Sequence, residues 1–185
     1  MKIKTTGLVT AALLAVVVLV SLAFSTVEQK RVSAKTDYTV KEWERAKAYT
    51  KEYLDAATEE TFGFKPTPEM RSFGEQMLHL SEANYGMASA ASGTPSPIKF
   101  GELEKGALKT KAEISKAVLD SYDFAIAAAK GMTDEKLAGN VKMFNMEMTA
   151  ETALAKAFEH QTHHRGQTTV YLRLKGLKPP QEKLF

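Results

Sequence analysis

The sequence contains no cysteine. This absence excludes disulfide bonds, thiolate zinc sites and cysteine nucleophiles, although it is compatible with both oxidising and reducing compartments.

A basic stripe is also absent. The formal net charge is +3, and Lys2 and Lys4 near the N-terminus supply two of those charges. Because basic and acidic residues are interleaved along the rest of the chain, we expect no binding to DNA or RNA.

The first 25 residues form an apolar leader. A short basic segment precedes an apolar run from Leu8 to Phe24, and the sequence Ala23-Phe24-Ser25 suits cleavage by signal peptidase. An apolar run of this length is also compatible with a retained membrane anchor. We therefore expect residues 1–25 to be a signal peptide or a membrane anchor. Either would make the protein exported, in the periplasm or another extracytoplasmic location, with membrane contact only through an uncleaved leader.

The rest of the chain is divided into a polar linker, residues 26–38, and one domain, residues 39–185. In the domain, apolar residues recur at three- and four-residue intervals, and no segment of any length shows the period of a strand. Four helices are predicted. The first runs from the Thr39–Glu42 capping box to near Ala57, and the second from near Thr67 or Pro68 to near Ser92. The third runs from near Leu103 to near Lys130, and the fourth from near Thr149 to near Lys175. An irregular connection precedes the fourth helix. This pattern predicts an all-α, antiparallel four-helix bundle.

Three of the four histidines lie in EHQTHHRGQTTVYLR, residues 159–173, and the fourth is His79. Each residue of an α-helix turns the chain by about 100°. His160 and His164, four positions apart, therefore face the apolar side of the fourth helix, whereas His163 faces away from it. His79 lies at the edge of the apolar side of the second helix. Three histidines from two helices can thus meet inside the bundle.

A neutral imidazole is the commonest protein ligand for zinc, nickel and similar divalent ions. Three such ligands without a fourth leave one coordination position open to water or substrate, which is typical of catalytic rather than structural sites. The alternative is that these are ordinary buried histidines hydrogen-bonded to the backbone, because HxxxH spacing is weak evidence by itself. The residues alone leave both interpretations open.

Two segments resemble the DinB family, within the DinB/YfiT-like superfamily of metalloenzymes. They are PTPEMRSFGEQMLHL, residues 66–80, and HQTHHRGQTTVYLRLKGLKPP, residues 160–180. The resemblance implies a four-helix bundle that holds one divalent metal ion through three histidines, one on the second helix and two in the HxxxH motif. Carried over by position, these are His79, His160 and His164. The same resemblance implies that His163 is not a ligand.

The neighbours of the ligands follow less directly from this resemblance. Arg165 and Gln167 belong to the motif, and either support the ligands from outside the metal shell or pack the helix. Tyr171 shares the ligands' face, so it either reaches the cavity or belongs to the core. Glu151 and Glu159 are candidates for outer carboxylates, although acidic residues on a helix flank are usually solvated.

Relatives in the superfamily include thiol S-transferases that use bacillithiol or mycothiol, a maleylpyruvate isomerase type and hydrolases. Low-molecular-weight thiols are chiefly cytosolic, so an export leader favours hydrolysis over thiol transfer. The resemblance therefore implies a metal-dependent enzyme, a hydrolase or thiol S-transferase-like protein, that uses zinc or nickel and acts on a small molecule. The alternative is a non-enzymatic metal-binding or interaction bundle. Family members are often dimers, so a homodimer is also an expectation.

Overall fold

The structure, a computed structural model, describes residues 34–185. Four long helices form its frame: α1 (Ala34–Ala56), α3 (Phe73–Ser92), α4 (Lys111–Lys130) and α6 (Ala150–Leu174). Two short helices and two strands lie between them: α2 (Glu59–Gly63), α5 (Asp134–Ala138), β1 (Asn140–Met143) and β2 (Met146–Thr149). Within residues 34–185, no helix combines the length and the hydropathy that crossing a bilayer requires. The leader and linker residues 26–33 lie outside the described residues.

The four long helices close into a ring in which α1 packs on α4 and α6, and α3 packs on the same two helices. Helices α1 and α4 run in opposite directions, because Glu44 pairs with Lys130 at 3.1 Å while Lys47 pairs with Asp123 at 2.6 Å. Helices α3 and α6 are also antiparallel. The predicted four-helix bundle is therefore confirmed.

Helices α3 and α4, in contrast, run in the same direction. Near the start of both helices, Gly74 lies against Ile114, and further along both, Asn84 donates a hydrogen bond to Ser121 at 3.1 Å. Helices α1 and α6 are parallel to each other as well. The long connection over residues 93–110 makes this arrangement possible, because it returns the chain to the end of the bundle where α3 began.

Helix α1 begins at Ala34, five residues before the predicted start at Thr39, so residues 34–38 are helical. A tertiary contact explains the extension. The Thr36 side chain is buried and donates a hydrogen bond to the carbonyl of Met132, just beyond α4, at 3.0 Å. This contact stabilises a first turn that the local sequence alone does not demand.

Helices α3 and α4 begin later than the sequence predicted, at Phe73 and Lys111. In each case the start is a capping box: Ser72 with Glu75, and Thr110 with Glu113. A capping box satisfies two backbone N–H groups that a helix start otherwise leaves without partners. These local hydrogen bonds, rather than the first apolar residue of the pattern, determine where the two helices begin.

The connection before α6 holds an antiparallel hairpin, which corrects the expectation that the chain has no strands. Strands β1 and β2 pair from Asn140 with Thr149 to Met143 with Met146. The turn residues Phe144 and Asn145 have φ angles of 49° and 67°, as a two-residue type I′ turn requires. Strands of only four residues are too short to show a clear alternation in the sequence.

The core lies along the axis of the ring and is rich in aromatic residues. Trp43 of α1 is fully buried and packs edge-on against Tyr122 of α4 and Phe158 of α6, with ring centroids 5.8 and 5.5 Å away. Edge-to-face pairs of this kind add to the free energy gained by apolar burial. The core therefore joins α1, α4 and α6 and holds α6 in a defined position against α3.

Candidate metal centre

The structure brings the three predicted histidines together at the contact between α3 and α6. His79 lies in α3, and His160 and His164 lie one turn apart in α6. One potential ligand atom from each residue lies within 4.8 Å of the other two, and these three histidines could hold a metal ion. The ring centroids of His160 and His164 are 4.4 Å apart, and that of His79 lies 5.2 and 4.5 Å from them.

The ring nitrogens have the properties of metal ligands. The Nδ1 atoms of His160 and His164 are buried and have no hydrogen-bond partner among the described residues. Burial, followed by the charges of neighbouring histidines, lowers the pKa of His160 to about 4 and that of His164 to about 3. Both rings are therefore neutral at physiological pH, which is the form that binds a metal ion. The donor set fits a divalent cation.

His79 has a carboxylate partner that orients its ring. The Nδ1 atom of His79 lies 2.6 Å from Glu104 Oε1, and because a carboxylate only accepts, Nδ1–H is the donor. This tautomer leaves Nε2 free to coordinate, as in the carboxylate–histidine pairs of known metal sites. Burial raises the pKa of the Glu104 carboxyl, but the hydrogen bond and charge interaction with His79, followed by the charge of Arg71, outweigh it, so the net shift is downward.

Glu104 lies in an irregular loop, and a buried carboxylate holds that loop in place. Glu82, one turn after His79 in α3, is only 3% exposed. Its two oxygens accept hydrogen bonds from the backbone N–H groups of Gly101, Leu103 and Glu104, the last two at 3.1 Å. Glu82 therefore fixes the backbone that presents Glu104 to His79.

His163 and Gln167 form a separate polar group beside the centre. His163 is exposed, as its helical angle predicts, and its Nε2 lies 2.9 Å from Gln167 Nε2. Gln167 Oε1 accepts a hydrogen bond from Gln76 Nε2 of α3. Gln167 therefore joins α6 to α3 one turn beyond the three histidines.

Arg165 and Tyr171 take structural positions. The buried Arg165 donates to Gln161 Oε1 at 2.8 Å and lies over the ring of Tyr49 at 4.6 Å, on the α1 side of α6. Tyr171 donates to the backbone carbonyl of Arg71 at 2.8 Å. Because the Arg71 guanidinium lies 3.3 Å from Glu104 Oε2, Tyr171 fixes the backbone of a residue that contacts the histidine–carboxylate pair.

The two acidic residues proposed as outer carboxylates lie at the surface. Glu151 pairs with Lys35 at 2.9 Å and Glu159 pairs with Lys156 at 2.7 Å. Surface ion pairs of this kind contribute little to stability. Both residues are therefore solvated acidic residues on the flank of the helix.

A cavity of about 370 Å³ adjoins the histidines. His79 and His160 line one end, together with Glu104. Its volume lies near the small end of the range for pockets that bind small molecules. The centre therefore has protein ligands on one side and space for a small molecule on the other.

Sequence reasoning missed Glu104, Glu82 and the hairpin that borders this cavity. The spacing of Glu82 three residues after His79 was a usable signal, because residues i and i+3 share a helix face. Asn145 was a turn signal for the hairpin. Glu104 had no signal, because it lies in a loop 25 residues from His79.

Comparison with known proteins agrees with this fold. A sequence profile described as the DinB family matches residues 32–184. The uncharacterized protein YrdA of Bacillus subtilis (strain 168) is 27% identical over 149 residues, which cover 78% of this chain and 85% of YrdA.

Among solved structures, a DinB-like protein from Bacillus cereus matches with a TM-score of 0.70 at 22% identity, over 78% of this chain and 95% of that one. The DinB-like protein YjoA from Bacillus subtilis matches with a TM-score of 0.62 at 19% identity, over 80% and 96%. At these identities the structures support the fold alone. The profile match spans most of the sequence and includes all three histidines, and on this ground the chain belongs to the DinB family.

Proposed function

We propose that this DinB family protein is an exported, metal-dependent enzyme that acts on a small molecule. The observation that carries the proposal is the convergence of His79, His160 and His164 beside an open cavity that His79 and His160 line. Catalytic zinc sites commonly have three protein ligands and keep another position for water or substrate. The apolar leader of residues 1–25 supports export.

The metal is a divalent ion, and three imidazoles favour zinc or nickel among the divalent ions. A divalent ion held here supplies Lewis-acid chemistry to a bound substrate. We favour hydrolysis over thiol transfer, because low-molecular-weight thiols are chiefly cytosolic and the leader directs the chain out of the cytoplasm.

The protein's own groups orient the site. Glu104 uses Oε1 to hold the His79 ring and Oε2 to pair with Arg71, so both of its oxygens are engaged. This makes Glu104 a positioning residue for His79 rather than a free general base. Glu82 acts one step further out, because its hydrogen bonds hold the loop that carries Glu104.

Elemental analysis of the purified full-length chain tests the proposal. We expect about one divalent ion per chain, and its loss on replacing His79, His160 or His164 with alanine. His163→Ala is the matched control, since it removes an exposed histidine from the same helix and should leave the metal content unchanged. A metal content at background, or one insensitive to the three substitutions, refutes the metal centre.

The metal-loaded protein is then assayed against a panel of carboxylic esters, amides and lactones. Turnover that disappears on chelation and returns on adding the metal supports an enzyme. Full metal occupancy without turnover on any substrate of the panel contradicts the enzymatic proposal and favours the non-enzymatic metal-binding alternative.

A further inference from the structure

We propose that the small molecule bound at this centre has a polar head that reaches the metal and an apolar tail of several carbon atoms. The tail would lie along α3, in the part of the cavity remote from the histidines. This inference rests on the proposed function, since it assigns the substrate class of the same site. Two observations support it: the change from polar to apolar lining along the cavity, and the unusual backbone conformation of Phe144 at its border.

Polarity along α3 changes from one end of the cavity to the other. His79 and Glu82 lie at the polar end, and Ala83, Gly86 and Ala90 follow on the same side of the helix. At about 1.5 Å per residue, His79 to Ala90 spans about 16 Å. A ligand that lies along this line would meet the three histidines first and then an apolar surface of small residues and Met87.

The hairpin forms the facing wall and is also apolar at the cavity. Met143 of β1 is buried, and Phe144 at the turn borders the same space. Lys142 is the one basic residue at this border of the cavity, and it is exposed. The two carboxylates, Glu82 and Glu104, are already hydrogen-bonded to the protein. Apart from Lys142, the hairpin side of the cavity offers apolar side chains to a ligand, which favours a largely apolar tail.

Phe144 occupies its position at an energetic disadvantage. Its φ angle of 49° is in the left-handed region, which is unusual for a bulky residue and is favoured by glycine and asparagine. The residue is also 66% exposed. Local strain of this kind is typical of ligand-binding sites. A ligand tail that covers the ring would explain why phenylalanine occupies the turn.

A second exposed aromatic residue borders the cavity from a different segment. Phe100, in the loop between α3 and α4, is 87% exposed. Phe100 and Phe144 therefore flank one space although they lie 44 residues apart. Aromatic side chains bury large apolar areas on contact with a ligand. Their placement at the same cavity suits an aliphatic or aromatic tail.

Alkyl hydroxamates are suitable probes, because the hydroxamate chelates a divalent ion and the chain length varies independently. We would measure binding of acetohydroxamate and hexanohydroxamate to the zinc-loaded full chain by isothermal titration calorimetry. Each buried methylene strengthens binding by about fourfold. Hexanohydroxamate has four more methylenes, so we expect it to bind at least about 16-fold more tightly, which corresponds to burying half of them.

Two variants locate the tail. A Cβ atom at Gly86 meets no atom within 4 Å, so Gly86→Leu should fold normally and place its side chain in the cavity. It should abolish most of the chain-length advantage and leave acetohydroxamate binding unchanged. Gly166→Leu is the matched control, since Gly166 is also helical and open but does not line the cavity.

Phe144→Gly separates a ligand-binding role from a structural one. Glycine suits a positive φ, so the hairpin should be no less stable by thermal unfolding. The chain-length advantage should nevertheless fall by severalfold. A purely structural role for Phe144 predicts no change in this advantage.

The outcomes distinguish the two proposals. If hexanohydroxamate binds within twofold of acetohydroxamate, or if Gly86→Leu and Gly166→Leu behave alike, the apolar tail is refuted while the metal centre stands. If the zinc-loaded protein binds neither hydroxamate, the open coordination position itself is refuted, and with it the proposed function.

Discussion

Replacing Glu104 with alanine should weaken metal binding without unfolding the bundle. The Glu104 carboxylate accepts the His79 Nδ1–H at 2.6 Å, and both side chains are about one quarter exposed. Removal of such an outer partner typically lowers metal affinity 10- to 100-fold. Because solvent partly screens this pair, we expect the lower part of the range, about 10- to 30-fold, which is about 1.4 to 2 kcal/mol.

Two further variants test whether the hydrogen bond from His79 to Glu104 causes the loss of metal affinity. Glu104→Gln keeps an acceptor for His79 but loses the charge, so we expect a loss of affinity between those of the alanine variant and the wild type. Glu102→Gln is the matched control. It removes one carboxylate charge from the same loop, where the Glu102 side chain accepts a hydrogen bond from the Lys99 backbone N–H at 2.9 Å. It should bind the metal as the wild type does.

Competition with a chromophoric zinc chelator, with the full-length chain at constant pH and ionic strength, measures these affinities. Thermal unfolding of the metal-free proteins shows whether each variant folds. An affinity of Glu104→Ala within twofold of the wild type would refute the orienting role of the carboxylate. An equal loss in Glu102→Gln would show that loop charge, and not the hydrogen bond to His79, sets the affinity.

Two predictions concern the fold. A Cβ atom at Gly74 would lie 3.0 Å from the backbone oxygen of Phe62 and 2.9 Å from Ile114 Cδ1. Gly74→Ala should therefore lower the free energy of unfolding in urea by about 1–3 kcal/mol. Gly86→Ala in the same helix should leave it equal or raise it, because a Cβ atom there meets no atom within 4 Å. The backbone N–H of Ser72, which caps α3, lowers the pKa of Glu75. The wild type should therefore have a higher free energy of unfolding than Glu75→Gln, and this difference should be full above the ordinary pKa of 4.5. The difference should disappear as the pH falls through the lowered pKa of Glu75 in the folded protein. A difference that is unchanged down to pH 2 would contradict the prediction.

The helices were predictable because their apolar periodicity is a local property. The start of α6 shows this best: the helix was predicted to begin near Thr149, and Thr149 caps it by accepting a hydrogen bond from the Thr152 N–H. The start of α1 was wrong because it depends on the contact between Thr36 and Met132, which are far apart in the sequence. Helix boundaries set by tertiary contacts have no local signal.

The direction of the helices was also outside the reach of periodicity. A repeat of 3.6 residues shows which face of a helix is buried, but it contains no information on which neighbour covers that face. The sequence of the connection over residues 93–110 does not indicate that α3 and α4 run parallel. Contacts such as that between Asn84 and Ser121 decide this arrangement.

The three histidines were found from helical angles and from the family resemblance, since side chains four residues apart share a helix face wherever the helix packs. His163 was separated from His164 by the same argument, and its exposure agrees. Glu104 was beyond this reasoning. Its position depends on a loop whose backbone is held by Glu82.

The sequence by itself therefore determined the helical class, the inward side of α6 and the set of histidines that can meet, because each follows from spacing within one helix. Only the tertiary structure decided which carboxylate orients His79 and which groups surround the cavity. Glu104 reaches His79 from a loop, and Phe144 borders the cavity from a hairpin, so the placement of both depends on packing between segments that are distant in the chain. The free energy that positions them comes from long-range contacts, which no local pattern encodes.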